Sequence, residues 1–336
     1  MPMIRLATLR RALLALVLGV VLACGAKPPP ATAQQPTAAN SDAVLLNYLR
    51  GEVSGRVSIP DEKSGKLIQP QGREFRAFHD DTLKTIGAVS VLGVLGLLVV
   101  FYMVRGRIPI EGGPSGRFVL RFKTVERFAH WLTASTFIVL GLTGLNLVFG
   151  KTLLLPIIGP EAFTALSQWG KYAHNYLSFP FVLGIVLMLL FWVKDNIPAA
   201  RDIAWLKAGG GIVGHGHVEA KKFNAGQKLI FWSVILGGTA IAVSGFVMMF
   251  PFYWTDVHGQ QLAVIVHGIV GLVLVAIILA HIYIGSVGME GAYDAMGTGL
   301  VDYNWAKAHH SLWLEEQAGK GRGASVPAGG AKAGAD

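Results

Sequence analysis

The chain has 336 residues, 52% of them hydrophobic and only 15% charged, with ten histidines, one cysteine and a formal net charge of +9. So large an apolar share excludes an ordinary soluble domain, and a lone Cys24 excludes an internal disulfide or a cysteine-held zinc or iron–sulfur centre. The positive charge does not mark a nucleic-acid partner, because the Lys and Arg residues flank apolar runs, as the positive-inside rule expects of a membrane protein.

Residues 1–33 read as a secretory signal peptide: Arg5, Arg10 and Arg11, then an apolar run from Ala12 to Leu22, then the small-residue site Ala31-Thr32-Ala33. Cys24 offers a rival reading as a lipidated cysteine, although Leu22 suits that motif poorly. Residues 34–82 are polar, with Pro36, Pro60 and Pro70 and no sustained apolar period, and are expected to form an extended extracytoplasmic segment. A nearly uninterrupted apolar run follows from Leu83 to Met103, and residues 83–104 form an additional N-terminal transmembrane helix.

Four further spans run roughly from His130 to Val148, His174 to Val193, Leu229 to Phe250 and Leu262 to Val287, within a domain at residues 121–290. With a mature N-terminus in the periplasm, the cytoplasmic segments are 105–127, 194–228 and a tail at 291–336. The first two hold Arg105, Arg107, Arg117, Arg121, Lys123, Arg127, Lys194, Arg201, Lys207, Lys221, Lys222 and Lys228, whereas the outer loops carry only Lys151 and Lys171. The charge bias therefore supports an inner-membrane protein with its C-terminus in the cytoplasm.

Within these spans lie His130, His174, His267 and His281. His267 and His281 are fourteen positions apart on one helix, which at about 100° and about 1.5 Å per residue sets them on nearly the same face, about 21 Å apart along the axis. The alternation of the spans puts His130 and His281 near the cytoplasmic face, and His174 and His267 near the outer face. Ionisable groups are costly in hydrocarbon, so four of them in two sets at matched depth point to function. Two imidazoles per iron fit two b-type haems, one held by His174 and His267 and the other by His130 and His281. Gly141, Gly144, Gly184, Gly245, Gly268 and Gly271 in the spans suit either a flat macrocycle or close helix packing.

His215 and His217 in a glycine-rich loop, and His309 and His310 in the tail, are expected to be solvated polar residues; His258 reads as interfacial and His79 carries no signal. Before the fourth span, Asn224, Gly226 and Gln227 bring two amides and a glycine to the cytoplasmic boundary. Their chemistry suits hydrogen bonds to a quinone carbonyl, and equally a helix cap with headgroup anchors.

Several segments together resemble the cytochrome b (gamma) subunit of respiratory formate dehydrogenase: Arg127-Phe128-Ala129-His130-Trp131, His174, Lys194-Asp195-Asn196-Ile197-Pro198, Phe223-Asn224-Ala225-Gly226-Gln227-Lys228, His267-Gly268, His281-Ile282-Tyr283 and Trp305-Ala306-Lys307-Ala308-His309-His310. The resemblance covers about residues 121–316. It implies an all-α integral membrane fold with a four-helix dihaem core, two haem b bound by the four histidines as iron ligands, and a quinone (menaquinone or ubiquinone) near Asn224, Gly226 and Gln227. It also implies an iron–sulfur (beta) partner and a molybdenum- or tungsten-containing catalytic (alpha) partner outside the membrane, with higher oligomers open. Formate oxidation would lie on the alpha partner, and this chain would carry the electrons to quinone. The ligand spacing alone also suits the cytochrome b subunit of a nickel–iron hydrogenase or a thiosulfate-type reductase. A proton-coupled transporter using the histidines as relays is the alternative of another class.

Overall fold

A computed structural model of the chain describes residues 70–211, 219–319 and 326–327. The leader with Cys24, the segment up to residue 69 and the loop histidines His215 and His217 lie outside the described residues. By its contacts the chain divides into a unit of Met1–Gln69 with Phe252–Asp256 and a unit of Pro70–Pro251 with Val257–Asp336. The second unit holds every candidate site residue and is described below.

Five helices among the described residues are long and apolar enough to cross a membrane: Glu74–Arg105, Thr124–Leu153, Leu155–Trp192, Ala225–Met249 and Val257–Gly288. We label α1 Leu83–Arg105, α2 Thr124–Leu153 and α3 Leu155–Trp192. A short α4, Ala200–Lys207, lies in the loop that follows. The fourth span is α5, Ala225–Trp232, and α6, Gly238–Met249, joined by a π turn at Ser233–Gly237. The fifth is α7, Val257–Tyr283, ending in a π turn at Ile284–Gly288.

Two boundaries differ from the sequence expectation. The helix that becomes α1 starts at Pro70 and passes through a π turn at Phe78–Thr82, so residues 70–82, expected to be extended, are helical. Their polarity conceals an i,i+4 pair, Arg76 with Asp80 at 3.5 Å, and such pairs support a helix that has no apolar stripe. The helix α3 likewise begins well before His174. Gly159, at φ 78°, breaks its first turn, and the run from Pro160 then carries His174 to mid-helix.

The helices α2 and α3 pack along each other, and α7 packs along both α1 and α6. Close approach is set by glycine. A Cβ on Gly184 of α3 would stand 3.1 Å from the backbone of Thr133 on α2, and one on Gly268 of α7 would stand 2.9 Å from Leu83 on α1. The additional span α1 thus docks through Leu83, which is buried, while its Val89, Leu92 and Val100 face outward.

Outside the spans, β1 (Arg117–Leu120) pairs antiparallel with β2 (Leu300–Asp302) and with β3 (Val326–Pro327). The tail then forms α8, Tyr303–His309, and α9, Ser311–Gly319. Asp302 caps α8 by accepting from the Asn304 and Trp305 amides, and its second oxygen accepts from the Ser115 amide and hydroxyl. The tail is thereby tied to the segment that leads into α2. Phe122, Trp192, Phe223, Val301, Trp305 and Trp313 close an apolar core at this basic end of the bundle.

Candidate functional site

The four span histidines meet in two pairs. The rings of His130 (α2) and His281 (α7) have centroids 6.2 Å apart, and those of His174 (α3) and His267 (α7) have centroids 6.0 Å apart. Centroids this far apart leave the ring nitrogens beyond hydrogen-bonding distance, and tilts of 56° and 59° exclude stacking. The spacing has a simple chemical counterpart. With a metal–imidazole bond of about 2.0 Å and a ring nitrogen about 1.1 Å from its centroid, two imidazoles on opposite sides of one iron have centroids about 6.2 Å apart. Both pairs therefore fit a bis-imidazole iron site.

The protonation of the α3–α7 pair can be derived from its neighbours. Thr143 Oγ1 donates its one proton to the Val139 carbonyl at 2.8 Å and lies 2.8 Å from His174 Nδ1. Ser244 Oγ donates to the Ala240 carbonyl at 2.7 Å and lies 3.2 Å from His267 Nδ1. Each hydroxyl has spent its proton, so it accepts from the imidazole, whose Nδ1 carries the hydrogen and whose Nε2 keeps the lone pair that iron needs. Gly144 and Gly245, next in sequence to these hydroxyl residues, adjoin the same rings. A Cβ on them would stand 3.6 Å from His174 Cε1 and 3.2 Å from His267 Cε1. Sequence reasoning found the glycines but missed Thr143 and Ser244; the recurring hydroxyl–glycine dipeptide, at 143–144 and 244–245, is the signal that marks them.

The other pair is surrounded differently. His130 Nδ1 is buried and has no hydrogen-bond partner, and among the described residues no hydrogen bond reaches the His281 ring. The ring of Trp131 stands edge-on to His130 at 5.2 Å, while its indole N–H donates to the Met296 carbonyl at 2.8 Å. One turn before His130, Glu126 receives Lys222 Nζ at 2.6 Å and the Trp192 indole N–H at 2.8 Å, which joins α2, α3 and the loop before α5.

Asn224, Gly226 and Gln227 lie at this same basic end, as a capping box on α5. Asn224 Oδ1 accepts from the Gln227 amide at 3.0 Å, and Gln227 Oε1 accepts from the Asn224 amide at 3.2 Å. Both amide oxygens are thus committed to the helix start, and their NH2 groups are not engaged in the box. Gly226 makes room for Trp205, whose ring would lie 3.0 Å from a Cβ there.

Gln227 also belongs to a buried network. One guanidinium nitrogen of Arg121 donates its two protons to the Lys222 carbonyl at 2.7 Å and to His310 Nε2 at 2.8 Å, with Gln227 Oε1 at 3.2 Å as a longer, shared contact. His310 Nδ1 in turn donates to the Lys221 carbonyl at 2.7 Å. His310 is completely buried, which corrects the expectation that the tail histidines are solvated. Burial, and then the Arg121 charge, hold its pKa well below the usual 6.5, so it is neutral. Burial alone pushes Arg121 down to about 9, which leaves it charged at neutral pH. Among the described residues no group of three or more His, Cys, Asp or Glu side chains is placed to hold a metal ion.

The sequence profile of the family described as prokaryotic cytochrome b561 matches residues 121–299, which span both histidine pairs. The chain is also similar to the nitrate-inducible formate dehydrogenase cytochrome b556(Fdn) subunit of Escherichia coli K12, at 27% identity over 207 residues, covering 60% of this chain and 93% of that protein. It is 28% identical over 202 residues to the formate dehydrogenase cytochrome b556(fdo) subunit of the same strain, covering 59% of this chain and 92% of the relative. A formate dehydrogenase cytochrome b556 subunit from Haemophilus influenzae is 29% identical over 209 residues, covering 59% and 83% respectively.

Proposed function

The chain belongs to the prokaryotic cytochrome b561 family, membrane cytochromes that carry haem b, and we propose that it is the dihaem membrane subunit of a formate dehydrogenase. In this reading it takes electrons from an iron–sulfur partner at the periplasmic face and delivers them to a quinone near the cytoplasmic face. The observation that carries it is the pair of imidazole couples, 6.0 and 6.2 Å between centroids, that share the single helix α7. Each haem would supply reversible one-electron exchange at its iron. His174 and His267 would hold one, and His130 and His281 the other. The hydroxyls of Thr143 and Ser244 fix the rings of the first pair so that Nε2 is presented.

The four histidines are half-buried within the bundle, whose helices pack at glycine contacts and whose basic end is closed by aromatic side chains. At that end Asn224 and Gln227 would serve the quinone through their NH2 groups, since their oxygens are held in the capping box. Arg121 stands against Gln227 and keeps its oxygen turned inward. The relatives named as formate dehydrogenase subunits support an iron–sulfur partner and a molybdenum- or tungsten-containing partner, with the charge bias of the loops supporting a periplasmic side for both.

The test is purification of the full chain from its native membrane with whatever remains attached. Pyridine-haemochrome analysis should give two b haems per chain, the attached proteins should include an iron–sulfur subunit and a molybdenum or tungsten enzyme, and formate should reduce the haem. Fewer than two haems would overturn the ligand assignment. A hydrogenase large subunit in the preparation would overturn the formate assignment.

A further inference from the structure

We propose that Thr143 and Ser244 make the haem held by His174 and His267 the lower-potential of the two; the inference rests on the dihaem reading given above. Its basis is an asymmetry between the histidine pairs. Both imidazoles of the α3–α7 pair donate Nδ1–H to a hydroxyl oxygen, at 2.8 and 3.2 Å. In the α2–α7 pair, His130 Nδ1 is buried without a partner, and among the described residues no hydrogen bond reaches His281.

The hydroxyls are fixed acceptors. Thr143 Oγ1 lies 2.8 Å from the Val139 carbonyl and 3.1 Å from that of Leu140, and Ser244 Oγ lies 2.7 Å from the Ala240 carbonyl and 3.3 Å from that of Ile241. Each O–H is therefore held back toward its own helix, with a lone pair turned to the ring. An imidazole that donates Nδ1–H to such an acceptor becomes a more basic ligand at Nε2, and a more basic ligand stabilises ferric over ferrous iron. Two such bonds act on one haem and none on the other. The potential difference runs downhill from the His174/His267 site toward the His130/His281 site for an electron that enters at the former.

The experiment is spectroelectrochemical titration of the complex, in the wild type and in Thr143→Val, Ser244→Ala and the double variant. The wild type should show two one-electron waves, and the double variant should move the lower wave upward while the upper wave stays in place. Outer-shell partners of ligating histidines typically alter metal affinity about tenfold or more. A tenfold change in the ferric-to-ferrous affinity ratio corresponds to about 59 mV for one electron. Thr143→Ser, which keeps the hydroxyl, should leave both waves where they are, and His267→Ala should abolish the lower one. Unchanged waves in a double variant that retains two haems would overturn the inference, as would loss of the upper wave in His267→Ala. A wild-type preparation without two b haems would instead be a failure of the dihaem reading.

Discussion

Replacing His310 with glutamine should remove that residue's own contribution to the acid sensitivity of the folded chain. His310 is fully buried and neutral, with Nδ1–H on the Lys221 carbonyl and Nε2 receiving a proton from Arg121. Protonating it in place would set a second positive charge 2.8 Å from the guanidinium and cost the Nε2 acceptor. The folded pKa is therefore depressed, by burial first and by Arg121 second. The sign follows from linkage. Above about pH 6.5 neither the folded nor the unfolded state binds the proton and His310 contributes no pH dependence; below it the unfolded state binds a proton that the folded state refuses. Stability then falls by about 1.4 kcal/mol per pH unit until the folded group itself titrates.

Glutamine can accept from Arg121 and donate to the Lys221 carbonyl without titrating, so the variant should keep the network and lose this slope. The assay is thermal unfolding of the detergent-solubilised protein between pH 7.5 and 5, followed by tryptophan fluorescence in wild type and His310→Gln. For a chain of 336 residues each kcal/mol moves the midpoint by about 1.5 °C, so the two curves should diverge by about 3 °C by pH 5. Other histidines titrate equally in both proteins and cancel in the difference. Parallel curves over the whole range would refute the claim that His310 is held neutral by burial and Arg121.

Lys228→Met should destabilise the chain by about 1–3 kcal/mol, because buried Lys228 Nζ pairs with half-buried Asp202 at 2.9 Å and bonds the Ile197 carbonyl; Lys228→Met combined with Asp202→Asn should recover much of that loss in the same melts. Gly184→Val should push α2 from α3, since even a Cβ meets the Thr133 backbone at 3.1 Å; with overpacking costs of about 1–3 kcal/mol, it should lower the melting midpoint and haem retention, and wild-type values for both would contradict the packing argument. Asn224→Leu should leave both haems in place and reducible by formate while slowing their reoxidation by added quinone; an unchanged rate in an assembled variant would leave Asn224 only its capping role.

The spans were legible because length and apolarity are properties of the sequence itself, and the four histidines stood out because hydrocarbon makes them costly. The helical start at Pro70 was hidden, since Arg76 and Asp80 support a helix without any apolar periodicity. His310 was misread for a different reason. Beside Lys307 and His309 it looks solvated, and it is buried because β2 returns the tail to β1, against an arginine 189 positions earlier. Nothing local to His310 encodes that return. The Thr143-Gly144 and Ser244-Gly245 dipeptides were visible as text, but their meaning depends on facing helices that only the fold brings into contact.

The two ends of the bundle differ in charge as well as in hydrogen bonding, and the two differences act in the same direction. Among the groups that Arg121 bonds, a carbonyl, an amide oxygen and a neutral imidazole, there is no carboxylate. Its positive charge is thus buried without an opposite charge in its hydrogen-bond shell, at the end where α2 begins, about 9 Å of helical rise from Thr124 to His130. A buried cation favours the reduced, less positive state of any redox centre near it, and does so more strongly where water does not screen it. Arg121 would therefore raise the potential on the His130/His281 side while the hydroxyls lower it on the His174/His267 side. The neutrality of His310 fits this role: an acidic residue in its place would satisfy Arg121 equally well but cancel the charge. His310→Glu should accordingly lower the upper wave in the titration and leave the lower one unchanged, whereas His310→Gln should move neither. An upper wave indifferent to His310→Glu, with both haems present, would show that the buried charge lies too far from the pair to act on it.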